Sequence, residues 1–214
     1  NYTDYSGFST QTITVSTQAE LQSAMSTLSS SGGGTIQLDG NGGPYQITGN
    51  GLGGASDPIL IEGADVNNPP AVSEVYLQNS SYITMTGLDI DSSVIDGNAA
   101  PYADFRLLGS NHIELVGNDM SSTANGYLDG SAGVTQGGSA MFIRASSDIR
   151  IADNVIQDYG GGIGLMEVQN ITIDNNEMMG IQKDFIQGVG IQDAKITNNH
   201  MHDPYGSIQA MNHS

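Results

Sequence analysis

Cysteine is absent from this chain of 214 residues, which removes disulfide frameworks, thiolate metal sites and cysteine nucleophiles at once. Tryptophan is absent too, aromatics are 6% and apolar residues 37%, so a thick conventional core is not indicated. Basic side chains are scarce. Five Lys and Arg stand against 23 Asp and Glu, a formal net charge of −18. Such a surface repels nucleic acid and anionic membranes, so neither is an expected partner. No apolar run approaches the roughly 18 residues of a membrane-crossing helix. There is no twelve-residue EF-hand loop and no Gly-Gly-x-Gly-x-Asp nonapeptide array, which limits calcium to less regular sites. What remains is compatible with export, and the expected location is extracellular, as a secreted protein.

What the chain does have is repetition. Asn170 to Met178 reads Asn-Ile-Thr-Ile-Asp-Asn-Asn-Glu-Met, and near-copies run from Ser81 to Ile90, Asn111 to Met120, Asp148 to Ile156 and Asp193 to Met201. Matching their last residues puts Ile90, Met120, Ile156, Met178 and Met201 in one column, at steps of 30, 36, 22 and 23 residues. Five residues earlier stand Met85, Leu115, Ile151, Ile173 and Ile196, and two residues earlier Leu88, Asn118, Asn154, Asn176 and Asn199. Alternation within each copy gives half-buried strands, and a period of about 22 indicates stacked β-coils. Asparagine recurring at one turn can donate and accept along the stack while tolerating left-handed backbone. The 29 glycines fit a turn-rich solenoid with a thin core. The expectation is an all-β fold: a right-handed, single-stranded parallel β-helix, one domain over 1–214, with regular coils from about 82.

Near the N-terminus, Thr17-Gln18-Ala19-Glu20 is a capping box, and Leu21, Met25 and Leu28 follow at helical spacing before Gly32-Gly33-Gly34. This predicts one amphipathic α-helix over about 17–29, capping the first coil. Then come Thr35-Ile36-Gln37-Leu38, Tyr45-Gln46-Ile47 and Asp57-Pro58-Ile59-Leu60-Ile61. This succession and the repeats together resemble the pectate-lyase-like superfamily of β-helices and the entry to its lyases and epimerases. Two insertions interrupt the coils, from about Asp91 to Ser110 (with Arg106) and from Ser121 to Gly138, where binding loops are expected. The last coil stops short at Ser214, so its open end is expected to continue or to be covered by another chain or subunit.

The chemistry is expected in the unrepeated arms. After Ile156 comes Gln157-Asp158-Tyr159-Gly160. After Met178 the arm runs from Met179 to Gln187 and contains Lys183 and Asp184, and after Met201 comes His202-Asp203-Pro204-Tyr205. Equivalent positions on successive coils lie about 4.8 Å apart, so these arms are expected to form a strip, with Arg144 on the coil before. Proton abstraction at C5 of a uronate suits it. That reaction needs a cation to quench the substrate carboxylate, a base, and an acid for the leaving oxygen or the opposite face. Arg144, Lys183 or bound Ca²⁺ can supply the first, and Tyr159 or Tyr205 with His202 the others; Asp158 and Asp203 are expected to bind substrate. Each also has a plainer alternative: Asp158 and Asp203 as turn residues, the tyrosines as stacked aromatics, His202 and Lys183 as solvated surface.

Asp158 to Phe185 resembles the alginate C5-epimerase modules, which are calcium-dependent, cysteine-free β-helices. Tyr159-Gly160 and Asp184 fall where that family has a catalytic tyrosine and an acidic residue. Its Asp-Pro-His-Glu stretch corresponds here to Gly164-Leu165-Met166-Glu167, without the histidine, and His202-Asp203-Pro204-Tyr205 carries similar residue types one coil later. The paired aspartates and Gly-His-Gly of polygalacturonases and the Arg-Pro motif of pectate lyases are missing. The resemblance implies a carbohydrate-active protein, a lyase or C5-epimerase of an acidic polysaccharide such as alginate, with catalytic residues Tyr159, Asp184, His202 and Tyr205. The alternative is a non-catalytic adhesin or glycan-binding scaffold. For calcium, the candidate ligands are Asp89, Asp91 and Asp96.

Overall fold

The computed structural model describes residues 11–91, 103–122 and 138–204. Its chain winds through three parallel faces, coil upon coil. Face one joins β1 (Thr12–Val15), β2 (Gly34–Leu38), β4 (Ile59–Gly63), β6 (Ser81–Thr86), β9 (Asn111–Val116), β12 (Ser147–Ala152), β15 (Gln169–Asp174) and β18 (Gln192–Thr197). Face two is narrower: β7 (Asp89–Ile90), β10 (Asp119–Ser121), β13 (Val155–Gln157), β16 (Glu177–Met179) and β19 (His200–His202). Face three comprises β3 (Tyr45–Asn50), β5 (Ala71–Gln78), β8 (Ala103–Leu108), β11 (Ser139–Arg144), β14 (Gly161–Met166) and β17 (Ile186–Val189). Faces two and three join through β5, whose first residues pair with β7 and whose last pair with β8.

The expected columns are the observed registers. Ile90, Met120, Ile156, Met178 and Met201 pair in succession, as do Met85, Leu115, Ile151, Ile173 and Ile196. Except in the last described coil, these side chains are buried. There Ile196 and Met201 are 47% and 38% exposed, against 0% for Ile173 and Met178 one coil earlier. The helix α1 (Gln18–Leu28) lies against β1, β2 and β3 with Leu21, Ala24, Met25 and Leu28 buried. Thr17 and Glu20 close the capping box as expected.

Two of the three corners are tied by polar ladders. Between faces one and two, Asn118, Asn154, Asn176 and Asn199 form a chain of amide contacts of 2.9–3.1 Å, and the first three are buried. Each of the first three also receives its neighbour's side-chain oxygen on its backbone N–H, and Leu88 does the same from Asn118. Between faces three and one, Ser80, Ser110 and Ser146 link in the same manner at 3.2 Å. Among the described residues no such ladder holds the third corner, between faces two and three. Connections of different length meet there instead, and both predicted insertions fall at this corner. Arg106 does not belong to the first of them, because β8 already begins at Ala103.

Candidate functional site

Alternation on face two sends every second side chain outward. One outward column reads Asp89, Asp119, Val155, Glu177 and His200, and the next includes Ser121, Gln157, Met179 and His202. The face therefore carries acid at one end and histidine with acid at the other. At the acidic end the Asp89 carboxyl is pushed above its usual range by desolvation, then by the charges of Asp119 and Asp91; desolvation raises Asp119 likewise. Asp89 and Asp91 thus stand together, with Asp119 in place as a third carboxylate. Asp96, the remaining calcium candidate, lies outside the described residues.

Tyr159 corrects the expected strip. It is 2% exposed and turns into the core. Its hydroxyl donates to Asp104 Oδ2 at 2.7 Å and lies 3.2 Å from the Ser121 carbonyl. Burial, followed by the charge of Asp104, lifts the phenol well above its ordinary range. A buried phenol held neutral beside a carboxylate has neither access to a polymer nor the cationic neighbour a tyrosine base requires. Tyr159 is a structural anchor for Asp104.

At the other end His202 occupies a built environment. Its Nδ1 is 2.9 Å from Asp203 Oδ2 and its Nε2 is 3.2 Å from Glu177 Oε1. His200 stacks on it, with ring centroids 4.3 Å apart, and His200 Nδ1 is 3.8 Å from the same Glu177 oxygen. The hydrogen bonds to Asp203 and then Glu177 raise the His202 pKa. With carboxylate acceptors at both nitrogens, the doubly protonated imidazolium is the form that satisfies both. Glu177 escaped the sequence reading because it lies inside the repeated text. Its position one residue before the core column, level with His200 of the next copy, was the available signal. Glu177 and His200 also border a concavity of about 350 Å³ lined by Asp153, Asn154, Val155, Asn175, Asn176 and Asn198.

The remaining candidates divide. Asp158, Gly180 and Asp203 occupy one position on three successive coils, all with left-handed backbone, φ 63°, 63° and 47°. Both aspartates are therefore turn residues, and Asp203 is additionally the partner of His202. The arm 180–185 lies on the turn before β14: Gln182 and Lys183 donate to the carbonyls of Tyr159 and Gly160, and Gly162 donates to that of Asp184. The Lys183 and Asp184 side chains are exposed. Arg144 does not join them. It ends β11 level with Met166 and Val189, at the opposite edge of face three. Six residues of extended chain separate that edge from Gly160, about 20 Å at the usual strand rise. Tyr205 lies outside the described residues.

Face three carries one feature the sequence did not reveal. Tyr76, Arg106 and Phe142 pair in register and form one half-buried outward column, continued by Gly164 and Gln187. The Arg106 guanidinium lies 4.2 Å from the Tyr76 ring centroid and pairs with Glu74. Aromatic–arginine–aromatic columns offer flat surfaces for sugar rings.

Comparison with known proteins agrees with this architecture. Residues 73–214 match the family described as right handed beta helix region. Among solved structures, alginate lyase from Paenibacillus sp. str. FPU-7 superposes with a TM-score of 0.68 at 21% identity, covering 90% of this chain and 67% of the other. A candidate glycosyl hydrolase from Parabacteroides merdae ATCC 43184 superposes with a TM-score of 0.53 at 11% identity, covering 87% and 92%. No curated protein sequence matches the chain. At these identities the likeness is one of fold.

Proposed function

Because the chain belongs to the right-handed β-helix family, we propose that its outer surface acts on an acidic polysaccharide, as a lyase or C5-epimerase of a uronate polymer such as alginate. The observation that carries this reading is the third corner. There His202, held between Glu177 and Asp203, belongs to the coil next to the arm that exposes Lys183 and Asp184. The alginate lyase of the same fold supports the substrate class. In this reading the Lys183 ammonium faces the substrate carboxylate and Asp184 takes the C5 proton. The His202 imidazolium gives its proton to the glycosidic oxygen as the C4–O bond breaks, leaving a C4=C5 double bond. For epimerisation the C4–O bond stays intact and a proton returns to C5 from the opposite face, with Tyr205 the partner of His202.

Calcium held by Asp89, Asp91 and Asp119 belongs to the same proposal, as does secretion, which immunoblotting of culture medium checks. The protein is to be incubated with alginate, pectate and related polymers, with calcium. Far-ultraviolet absorbance reports the unsaturated uronate of a lyase and proton NMR reports epimerisation. The expected result is turnover of a uronate polymer, reduced on the order of 100-fold or more in His202→Asn and Lys183→Ala. Binding without turnover would instead support a glycan-binding scaffold, the reading favoured by the Tyr76–Arg106–Phe142 column and by the separation of Arg144 from Lys183. No interaction with any uronate polymer sinks both.

A further inference from the structure

We propose that Glu177, His200 and His202 form a binding site for a divalent transition-metal ion of the zinc class. The site follows from β-geometry. In His200-Met201-His202 the period of two sends both imidazoles outward while Met201 continues the core column. Glu177, on the neighbouring strand, is directly level with His200. One ligand atom from each residue lies within 4.8 Å of the other two, and the Glu177 oxygen is 3.2 Å from His202 Nε2 and 3.8 Å from His200 Nδ1. Ligands about 2.0–2.1 Å from a tetrahedral Zn²⁺ stand roughly 3.4 Å apart, so the two observed separations bracket the required edge.

A second observation points the same way. Asp203 Oδ2 lies 2.9 Å from His202 Nδ1, the outer carboxylate that commonly orients a metal-bound imidazole and frees its other nitrogen for the ion. Two imidazoles with one carboxylate favour a zinc-class ion over Ca²⁺ or Mg²⁺, which take oxygen ligands. Three protein ligands leave a fourth position open to water or to a substrate oxygen. The inference does not rest on the uronate reading, because metal binding is measured without sugar. Where both hold, His202 serves as ligand rather than acid in the loaded protein, and the ion supplies the positive charge at this corner.

The test is calorimetric titration of the tag-free protein with Zn²⁺, with Ca²⁺ and Mg²⁺ as comparisons. One Zn²⁺ per chain is expected, with neither comparison ion competing at this site. His200→Ala, His202→Ala and Glu177→Gln should each weaken Zn²⁺ binding by about tenfold or more, and Asp203→Asn by about 10–100-fold, with recovery in Asp203→Glu. His112→Ala, at a histidine stacked on Tyr82, should leave it unchanged. Far-UV circular dichroism establishes that each variant is folded; His200 is 71% exposed and Glu177 45%, so their replacement spares the core. Absence of Zn²⁺ binding, or binding that survives both His200→Ala and His202→Ala, overturns the proposal.

Discussion

Tyr159 and Asp119 show how single side chains follow their surroundings. Tyr159→Phe removes the hydrogen bond to the buried Asp104 carboxylate. Bonds to charged groups of this kind are worth about 1.5–3 kcal/mol, and chemical denaturation should register a loss of that size. The pH dependence has a definite sign. The folded phenol titrates above its ordinary value of 10.0, so its contribution is complete below that value and is lost as pH rises beyond it. Wild type should therefore lose stability more steeply than Tyr159→Phe in alkali. Asp89 and Asp119 are likewise raised, from 3.8, so they favour folding when protonated and oppose it at neutral pH. Asp119→Asn should raise Tm at pH 7 and not at pH 3, by no more than a few degrees because solvent screens the charge. Added Ca²⁺ should stabilise wild type, and the increment should vanish in Asp119→Asn; an unchanged increment removes Asp119 from the proposed calcium site.

Individual coils depend on the corner ladders as much as on core packing. Asn154 accepts from the backbone and side chain of Asn118 and donates to Leu115 O and Asn176 Oδ1. Asn154→Ala removes the acceptor of the buried Asn118 N–H and the donor to the Leu115 carbonyl, and should cost about 2–4 kcal/mol. Asn154→Ala combined with Asn176→Ala should cost less than the sum of the two, since they share a contact. Additive losses in denaturant unfolding would contradict a coupled ladder. These columns were legible in the sequence because alternation and a near-constant step are local signals. The arms were not. Whether a side chain enters the core or faces outward depends on the backbone at a corner, which no period encodes. Tyr159 turned inward for this reason, and Arg144 was carried to the far edge of face three by the length of β11. Glu177 was hidden differently: it sits in the most repeated text of the chain, where alternation gives its outward direction but not its contact with His202 two positions along the next coil.

Across the described residues, two corners of the solenoid are laddered and the third is not. The arm with Lys183 and Asp184, the His202 environment and the turn aspartates gather there, on a chain of net charge −18. In the proposed function, an acidic protein meets an acidic polymer through concentrated positive charge, the role that proposal gives to Lys183, the His202 imidazolium and a bound cation. The repeated text fixes spacing, and its outward positions Glu177 and His200 join the unrepeated arms in the candidate site. The most direct test is a proton NMR time course of alginate incubated with wild-type protein and with His202→Asn. New unsaturated-uronate or epimerised signals are expected with wild type, and their near-complete loss in the variant. Signals that grow equally with both proteins would contradict the proposed function.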